Sequence, residues 1–176
     1  MQLTGLSAHQ AREKILQDEA CRDYLTGLLN RRGLHAAIDA LRQEDLPLAL
    51  YLFDLDDLKK VNDGYGHDKG DELLTAFGEL LRKQTRNGDI LCRYGGDEFV
   101  VILRRMSEKE VVQRKGEEIC RGIGESFTGE FHASCSAGAV LCSPGEKPSG
   151  ALLEQADKAL YIAKQMGKGN CRLWNE

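Results

Sequence analysis

The chain lacks the features of a secreted or membrane-spanning protein. Its six cysteines form no C-x-x-C pair and its three prolines form no proline-rich linker, so the composition indicates neither a zinc site nor a disulfide framework. The first fourteen residues contain no apolar signal-peptide core, and the longest apolar stretch covers only residues 46–53, which is too short to span a bilayer. We therefore predict a cytoplasmic location and no membrane segment in this chain.

An excess of basic charge is also missing. Lys and Arg total 24 against 28 Asp and Glu, which gives a net charge of −4, whereas duplex nucleic acid and anionic membranes favour basic surfaces. We therefore expect no nucleic-acid partner, although a locally basic pocket for a small phosphate ligand is compatible with this balance. The chain does have 41% hydrophobic residues over 176 positions, which is enough for one domain with a substantial core.

Residues 7–22 have the pattern of a polar helix that stands apart from the main core. Ser7 and Gln10 form a capping box, and the apolar face of the helix is thin, as is typical of a connector or a dimer stalk. We assign residues 1–22 to an N-terminal connector helix and residues 23–176 to one domain. No sensor or receiver domain is visible in this sequence, so we expect one upstream in a longer chain.

The remaining apolar patterns predict alternating strands and helices. Predicted strands cover residues 48–53, 89–94, 98–103, 131–142 and 170–174, and predicted helices cover residues 31–42, 70–82, 108–122 and 150–166. The second and third strands flank a Gly-Gly-Asp turn, which is a strong hairpin signal. This order contains a ferredoxin-like βαββαβ unit. We therefore predict an α+β fold with helices packed on a mainly antiparallel sheet.

Acidic residues at the ends of these strands are the candidates for chemistry. Asp54 follows a strand too apolar to hold an unpaired charge, and Asp97 lies at the hairpin tip, followed by Glu98. In a βαββαβ sheet the first strand lies beside the hairpin, so these strand ends can be neighbours. Carboxylates gathered there need a cation, and oxygen ligands favour Mg²⁺ or Mn²⁺. We interpret three nearby acids as solvated loop carboxylates: Asp56, Asp57 and Asp63.

Five ordered motifs resemble the diguanylate cyclase family. Residues 93–99 read RYGGDEF and carry the GGDEF signature. Four further segments fit the same family: residues 23–32 (DYLTGLLNRR), 53–63 (FDLDDLKKVND), 66–71 (GHDKGD) and 159–170 (ALYIAKQMGKGN). This resemblance implies a palm-like nucleotide-cyclase fold. It also implies an enzyme that makes cyclic di-GMP and pyrophosphate from two GTP molecules with Mg²⁺ or Mn²⁺.

The resemblance implies a role for individual residues of the reaction centre. It implies four metal ligands: Asp54, the Leu55 carbonyl, Asp97 and Glu98. Asp97 and Glu98 are also the implied catalytic residues, and Asp97 would help to deprotonate the 3′-hydroxyl of GTP. Because each domain is expected to hold one GTP, the reaction would require a homodimer whose two domains face each other.

The resemblance also implies residues that bind the nucleotide. Asn62 and Asp71 match the pair that reads guanine, and adenine would leave the Asp71 carboxylate without its N1–H donor. The implied phosphate contacts are Lys59, Lys164 and Lys168. The family more often has Arg at the position of Lys168, so a bidentate contact becomes a point charge here.

An R-x-x-D sequence matches a second site of the same family. Arg86 and Asp89 lie before the hairpin, at the position of an inhibitory site for the product, cyclic di-GMP. Arg86 can bind a guanine edge or a phosphate, and Asp89 can accept from guanine N–H groups. Alone, R-x-x-D is a common surface ion pair, and its position here favours product inhibition.

Two other functions remain as alternatives. The chain could be a catalytically weak GGDEF module that senses GTP or cyclic di-GMP, or a cyclase that uses another nucleotide. The residues of the metal and guanine sites are all present, which argues against degeneration, and Asn62 with Asp71 favours guanine. Incubation with GTP or ATP and Mg²⁺, followed by chromatography of the products, separates the three functions.

Overall fold

A computed structural model describes residues 7–127, 130–146 and 148–175. In these ranges the helices are α1 (Ala8–Ala20), α2 (Arg31–Asp39), α3 (Leu58–Tyr65), α4 (His67–Gln84), α5 (Lys109–Ser126) and α6 (Gly150–Gln165), with a short 3₁₀ turn at Gln43–Asp45. The strands are β1 (Leu48–Leu55), β2 (Ile90–Arg93), β3 (Glu98–Arg104), β4 (Cys135–Cys142) and β5 (Cys171–Leu173). None of the helices described is both long and apolar enough to cross a membrane.

The five strands form one sheet in the order β2-β3-β1-β4-β5. β1 is antiparallel to both β3 and β4, β2 is antiparallel to β3, and the edge strand β5 is parallel to β4. The first four strands have the order and directions of a ferredoxin-like core. The structure therefore confirms the predicted α+β fold with its mainly antiparallel sheet.

Several element boundaries differ from the prediction. β1 continues through Leu55 because its last residues still pair with β3 on one side and β4 on the other. Helix α3 was not predicted, since only Leu58 and Val61 of its eight residues are buried, which leaves too little apolar periodicity. β4 begins at Cys135 rather than residue 131, because the preceding Phe131 packs against the rings of Tyr65 and Phe127 outside the sheet.

The sheet is buried on both faces, so β1 is a rigid central element. Alternate residues of β1 point to opposite sides: Tyr51 and Phe53 belong to one hydrophobic cluster and Leu50 to the other. Phe77 from α4 packs edge-on against Phe53 and Phe99, with ring centroids 5.7 and 4.9 Å away. Since a strand buried on both faces has no room to shift, the residues at its end have a fixed position.

Helix α6 lies directly on β4, which sets the position of its C-terminal end. A Cβ at Gly138 would overlap the carbonyl oxygen of Ala156, so glycine permits this close approach.

Helix α1, near the opposite end of the chain, differs from α6 because its apolar side chains are exposed. Ser7 and Gln10 form the predicted capping box, and Ile15 and Leu16 on α1 are more than half exposed.

Candidate active site

The predicted acidic residues lie at the same end of the sheet. Asp54, near the end of β1, lies opposite Glu98 in the pairing with β3. The backbone N–H of Leu55 donates to the Asp97 carbonyl at 3.0 Å, which joins the end of β1 to the hairpin tip. The structure thus brings the end of the first strand and the hairpin tip together, as the βαββαβ order predicts.

Asp54 is a buried acid that contacts a lysine. Its side chain is 10% exposed, and Lys164 Nζ donates to Asp54 Oδ1 at 2.7 Å. The pKa of Asp54 is raised to about 6, mainly because burial disfavours the carboxylate, with a smaller contribution from the negative charges of Asp97 and Glu98. The hydrogen bond from Lys164 opposes this rise. Asp54 therefore sits where a positive charge is needed and where Lys164 supplies one.

The donor atoms at this end of the sheet fit a hard divalent cation. The carboxylates of Asp54, Asp97 and Glu98 and the Leu55 carbonyl offer only oxygen ligands, which Mg²⁺ and Mn²⁺ prefer, and the burial that raises the pKa of Asp54 makes a nearby cation favourable. Over the residues described, however, no three His, Cys, Asp or Glu side chains are grouped closely enough to hold a metal ion. The oxygen ligands therefore suit Mg²⁺ or Mn²⁺, and in this structure Lys164 contacts Asp54, the most buried of the carboxylates.

The hairpin tip is held by an arginine that the sequence interpretation did not single out. Arg93 donates through Nη2 to the Gly96 carbonyl at 2.8 Å and forms an ion pair with Asp23 at 3.2 Å. Both charged side chains of that pair are less than 15% exposed. Asp23 also accepts from the backbone N–H and hydroxyl of Thr26 at 2.8 Å. Arg93 and Asp23 both lie in motifs that carry the family resemblance, and only this position in the motifs could have indicated their role from the sequence.

Two of the predicted phosphate lysines lie beside the carboxylates. Lys164 is in the last turn of α6, and Lys168 follows in a turn, where its Nζ lies 2.9 Å from Asp57 Oδ2. The hydrogen bonds from Lys168 and Lys60 lower the pKa of Asp57, and Asp57 in turn raises the pKa of Lys168. Lys59 is exposed at the start of α3. The described structure therefore has basic side chains at the rim of the acidic centre.

The packing of α3 on α4 places Asn62 against Gly70, the residue before Asp71. A Cβ at Gly70 would overlap Asn62 Oδ1, so Gly70 allows the Asn62 amide to press against α4. Asn62 Oδ1 is buried and has no hydrogen-bond partner among the residues described. Asp71, the next residue along α4, is exposed and lines a groove of about 490 Å³. A buried acceptor without a partner is a candidate ligand contact.

Arg86 and Asp89 lie beyond the opposite end of β2 from the hairpin tip. The Asp89 carboxylate accepts from the backbone N–H of Arg86 at 2.8 Å and from that of Arg104 at 3.1 Å. Arg86 is exposed. The two residues of the R-x-x-D sequence are therefore close together, and Asp89 organises the backbone of their loop.

The interpretation of Asp56 as a solvated loop acid is wrong. Asp56 is buried, and its carboxylate accepts from Ser134 Oγ and Ser136 Oγ at 2.8 Å and from the Gly169 N–H at 3.1 Å. Its partners are 78 to 113 residues away along the chain, so no local pattern could reveal them. Asp57 and Asp63 are exposed, as expected, although Asp63 lies within α3 rather than in a loop.

Comparisons with known proteins agree with the motifs. The profile of the family described as "Diguanylate cyclase, GGDEF domain" matches residues 20–170. The sequence is 36% identical over 171 residues to diguanylate cyclase DosC of Escherichia coli (strain K12), and the alignment covers 92% of this chain and 37% of DosC. It is 38% identical over 170 residues to diguanylate cyclase DgcS of Shewanella oneidensis, which covers 94% of this chain and 56% of DgcS.

The fold is also similar to solved structures. The coiled coil and GGDEF domain of DgcB from Caulobacter crescentus, in complex with c-di-GMP, superposes with a TM-score of 0.82 at 25% identity, covering 94% of this chain and 92% of that one. The DosC and DgcS matches leave much of those relatives unmatched, so the chain spans between about a third and just over half of their length.

Proposed function

Because the chain belongs to the GGDEF-domain family of diguanylate cyclases, we propose that it condenses two GTP molecules into cyclic di-GMP and two pyrophosphates. The observation that carries this proposal is the pairing of Asp54 with Glu98 beside the hairpin tip, together with the raised pKa of Asp54. A buried carboxylate at the end of β1, with half-exposed acids at the neighbouring hairpin tip and basic side chains beside it, suits a site for a nucleoside triphosphate and its cation.

The reaction consists of two phosphoryl transfers, the second in the opposite sense to the first. The 3′-oxygen of one GTP attacks the α-phosphorus of the other, a new P–O bond forms, the bond to the β-phosphate oxygen breaks, and pyrophosphate leaves. Asp97 accepts the 3′-hydroxyl proton, with Glu98 beside it. Asp54, the Leu55 carbonyl, Asp97 and Glu98 would hold Mg²⁺ or Mn²⁺, which lowers the pKa of the hydroxyl and neutralises phosphate charge when bound.

The nucleotide would be held at both ends. Asn62 Oδ1, buried without a partner among the residues described, can accept a hydrogen bond from the guanine base, and the exposed Asp71 can accept from its N1–H and N2–H₂ groups. Three lysines would contact the triphosphate: Lys59, Lys164 and Lys168. The bound cation would replace the Lys164 ammonium group beside Asp54, because both are positively charged. Lys164 would then contact a phosphate oxygen instead.

Two further parts of the proposal concern a second molecule. One domain presents one set of guanine and phosphate contacts, so two copies must face each other for each 3′-hydroxyl to reach the other α-phosphate.

Arg86 and Asp89 would bind the cyclic di-GMP product and inhibit the enzyme. The exposed Arg86 side chain supports this assignment, and undiminished inhibition in an Arg86→Ala variant would contradict it.

The proposal is tested by incubating the chain with GTP or ATP and Mg²⁺ and resolving the products by chromatography at several protein concentrations. We expect cyclic di-GMP from GTP alone, with a specific activity that rises with protein concentration because the active form is a dimer. Asp54→Asn should abolish the product, whereas Asp157→Asn, an exposed change on α6, should not. Binding of GTP without any product would instead support a sensor module.

A further inference from the structure

Asp56 is a buried carboxylate to which the reaction described above gives no role. It is 7% exposed and binds three donors: Ser134 Oγ, Ser136 Oγ and the backbone N–H of Gly169. Its own backbone N–H donates to the Ser134 carbonyl at 2.9 Å. Charge-assisted hydrogen bonds to a buried carboxylate are strong and directional. Asp56 therefore ties the end of β1 to the start of β4 and to the turn that follows α6.

The turn held by Asp56 has a backbone conformation that needs support. Gly167, Lys168 and Gly169 have φ angles of 110°, 63° and 63°, and the left-handed region is costly for a residue with a Cβ such as Lys168. The Asn170 side chain donates to the Lys168 carbonyl at 2.9 Å, and the Gly169 N–H donates to Asp56. These two contacts hold the peptide group after Lys168, and the Lys168 N–H donates to the Ala163 carbonyl at 3.3 Å on the other side, so contacts on both sides hold Lys168 in this conformation.

This backbone conformation sets the position of the Lys168 ammonium group. Lys168 Nζ lies 2.9 Å from Asp57 Oδ2, and the Lys168 side chain is 42% exposed, so it can reach a ligand. Asp57 is itself left-handed, with φ of 57°. Two consecutive acids therefore act on one turn: Asp56 binds its backbone and Asp57 pairs with its lysine.

We propose that Asp56 is a positioning residue for the triphosphate of GTP, acting through Gly169 to present Lys168 at the rim of the acidic centre. The inference rests on the proposed function for the identity of the nucleotide. Without the Asp56 carboxylate, the Gly169 N–H keeps only the neutral Ser136 Oγ as an acceptor at 3.1 Å. The turn is then held more weakly in the left-handed conformation, and the Lys168 ammonium group moves away from the phosphate position.

The test compares Asp56→Ala with Asp56→Asn in the full chain, with Asp157→Ala as the exposed control. Asparagine keeps an oxygen acceptor for the Gly169 N–H, and its NH₂ group can donate to Ser136 Oγ, so it should preserve the turn. We expect faster amide hydrogen exchange at Gly169 in Asp56→Ala only. We also expect GTP affinity to fall about tenfold in that variant and to change less than about threefold in Asp56→Asn.

A ligand series and a double variant separate positioning from a general loss of structure. The affinity for guanosine, which has no phosphate, should be the same in Asp56→Ala and the unmodified chain. In a Lys168→Ala background, Asp56→Ala should cause no further loss of GTP affinity, because both changes remove one contact. If Asp56→Ala fails to fold, Ser134→Ala removes one of the donors to Asp56 and leaves both acceptors of the Gly169 N–H in place, so it should give the same pattern with smaller changes.

Three outcomes overturn the inference: unchanged exchange at Gly169, an equal loss of affinity for guanosine, or an undiminished effect in the Lys168→Ala background. Its failure is distinguishable from failure of the proposed function. If the unmodified chain binds GTP but produces no cyclic di-GMP, the proposed function is wrong, while the Gly169 exchange and the GTP affinities still decide the role of Asp56. If the unmodified chain binds no GTP, both are wrong.

Discussion

Replacing Asp54 with asparagine should stabilise the metal-free chain at neutral and alkaline pH while removing the cyclase activity that we propose for it. Burial raises the pKa of Asp54 from 3.8 to about 6, so the folded chain binds this proton more tightly than the unfolded chain does. The contribution to stability is therefore fully present below pH 3.8 and is lost as the pH rises through about 6. Above that pH the fold carries an unfavourable buried charge.

The size of the effect follows from the two pKa values. The interval from 3.8 to about 6 corresponds to about 3 kcal/mol at ~1.4 kcal/mol for each pH unit. Asparagine keeps the shape of the side chain and removes its charge. Lys164 loses a partner, but its side chain is 36% exposed and is readily hydrated. We therefore expect Asp54→Asn to gain about 1–3 kcal/mol of unfolding free energy at pH 8.

Urea unfolding of chelator-treated protein, followed by circular dichroism, measures this gain. Most of the difference between Asp54→Asn and the unmodified chain should disappear at pH 4, where the unmodified Asp54 is protonated in the folded state. Asp157→Asn is the matched control, since it removes one exposed carboxylate from α6. Equal stabilities at pH 8, or a gain of the same size at both pH values, would refute the assignment of Asp54 as a destabilising buried charge.

Three other changes test the surroundings of the same centre. Lys164→Met should destabilise the metal-free chain by about 1–3 kcal/mol at pH 8, because it leaves Asp54 buried without its partner; urea unfolding measures the loss. Gly70→Ala should lower GTP affinity by at least about tenfold with the circular dichroism spectrum unchanged, because the new Cβ would displace the Asn62 amide that we propose reads guanine; calorimetric titration measures the affinity. Arg93→Ala should lower the free energy of unfolding by about 2–4 kcal/mol, because it breaks a largely buried ion pair and releases the hairpin tip; a thermal midpoint equal to that of the unmodified chain would contradict this role.

Local patterns in the sequence were sufficient to predict the framework of the molecule. The apolar run that became β1 and the Gly-Gly-Asp turn between β2 and β3 are short-range signals, because hydrophobic periodicity and turn chemistry act over a few neighbouring residues. The βαββαβ order then limits how the strands can pair. That order alone predicted that Asp54 would lie near the hairpin tip, and the register of β1 with β3 agrees.

The sequence by itself thus determined the strand order of the ferredoxin-like core, the family, and the acids at the end of β1 and at the hairpin tip. Only the tertiary structure decided what each acid contacts. Asp56 and Asp57 are neighbours with the same side chain, yet one is buried under donors from β4 and the turn after α6, and the other is exposed and paired with lysines. The contact between Asp54 and Lys164 likewise joins residues 110 positions apart. Burial and such pairings depend on how distant elements pack, and no local pattern of residues carries that information.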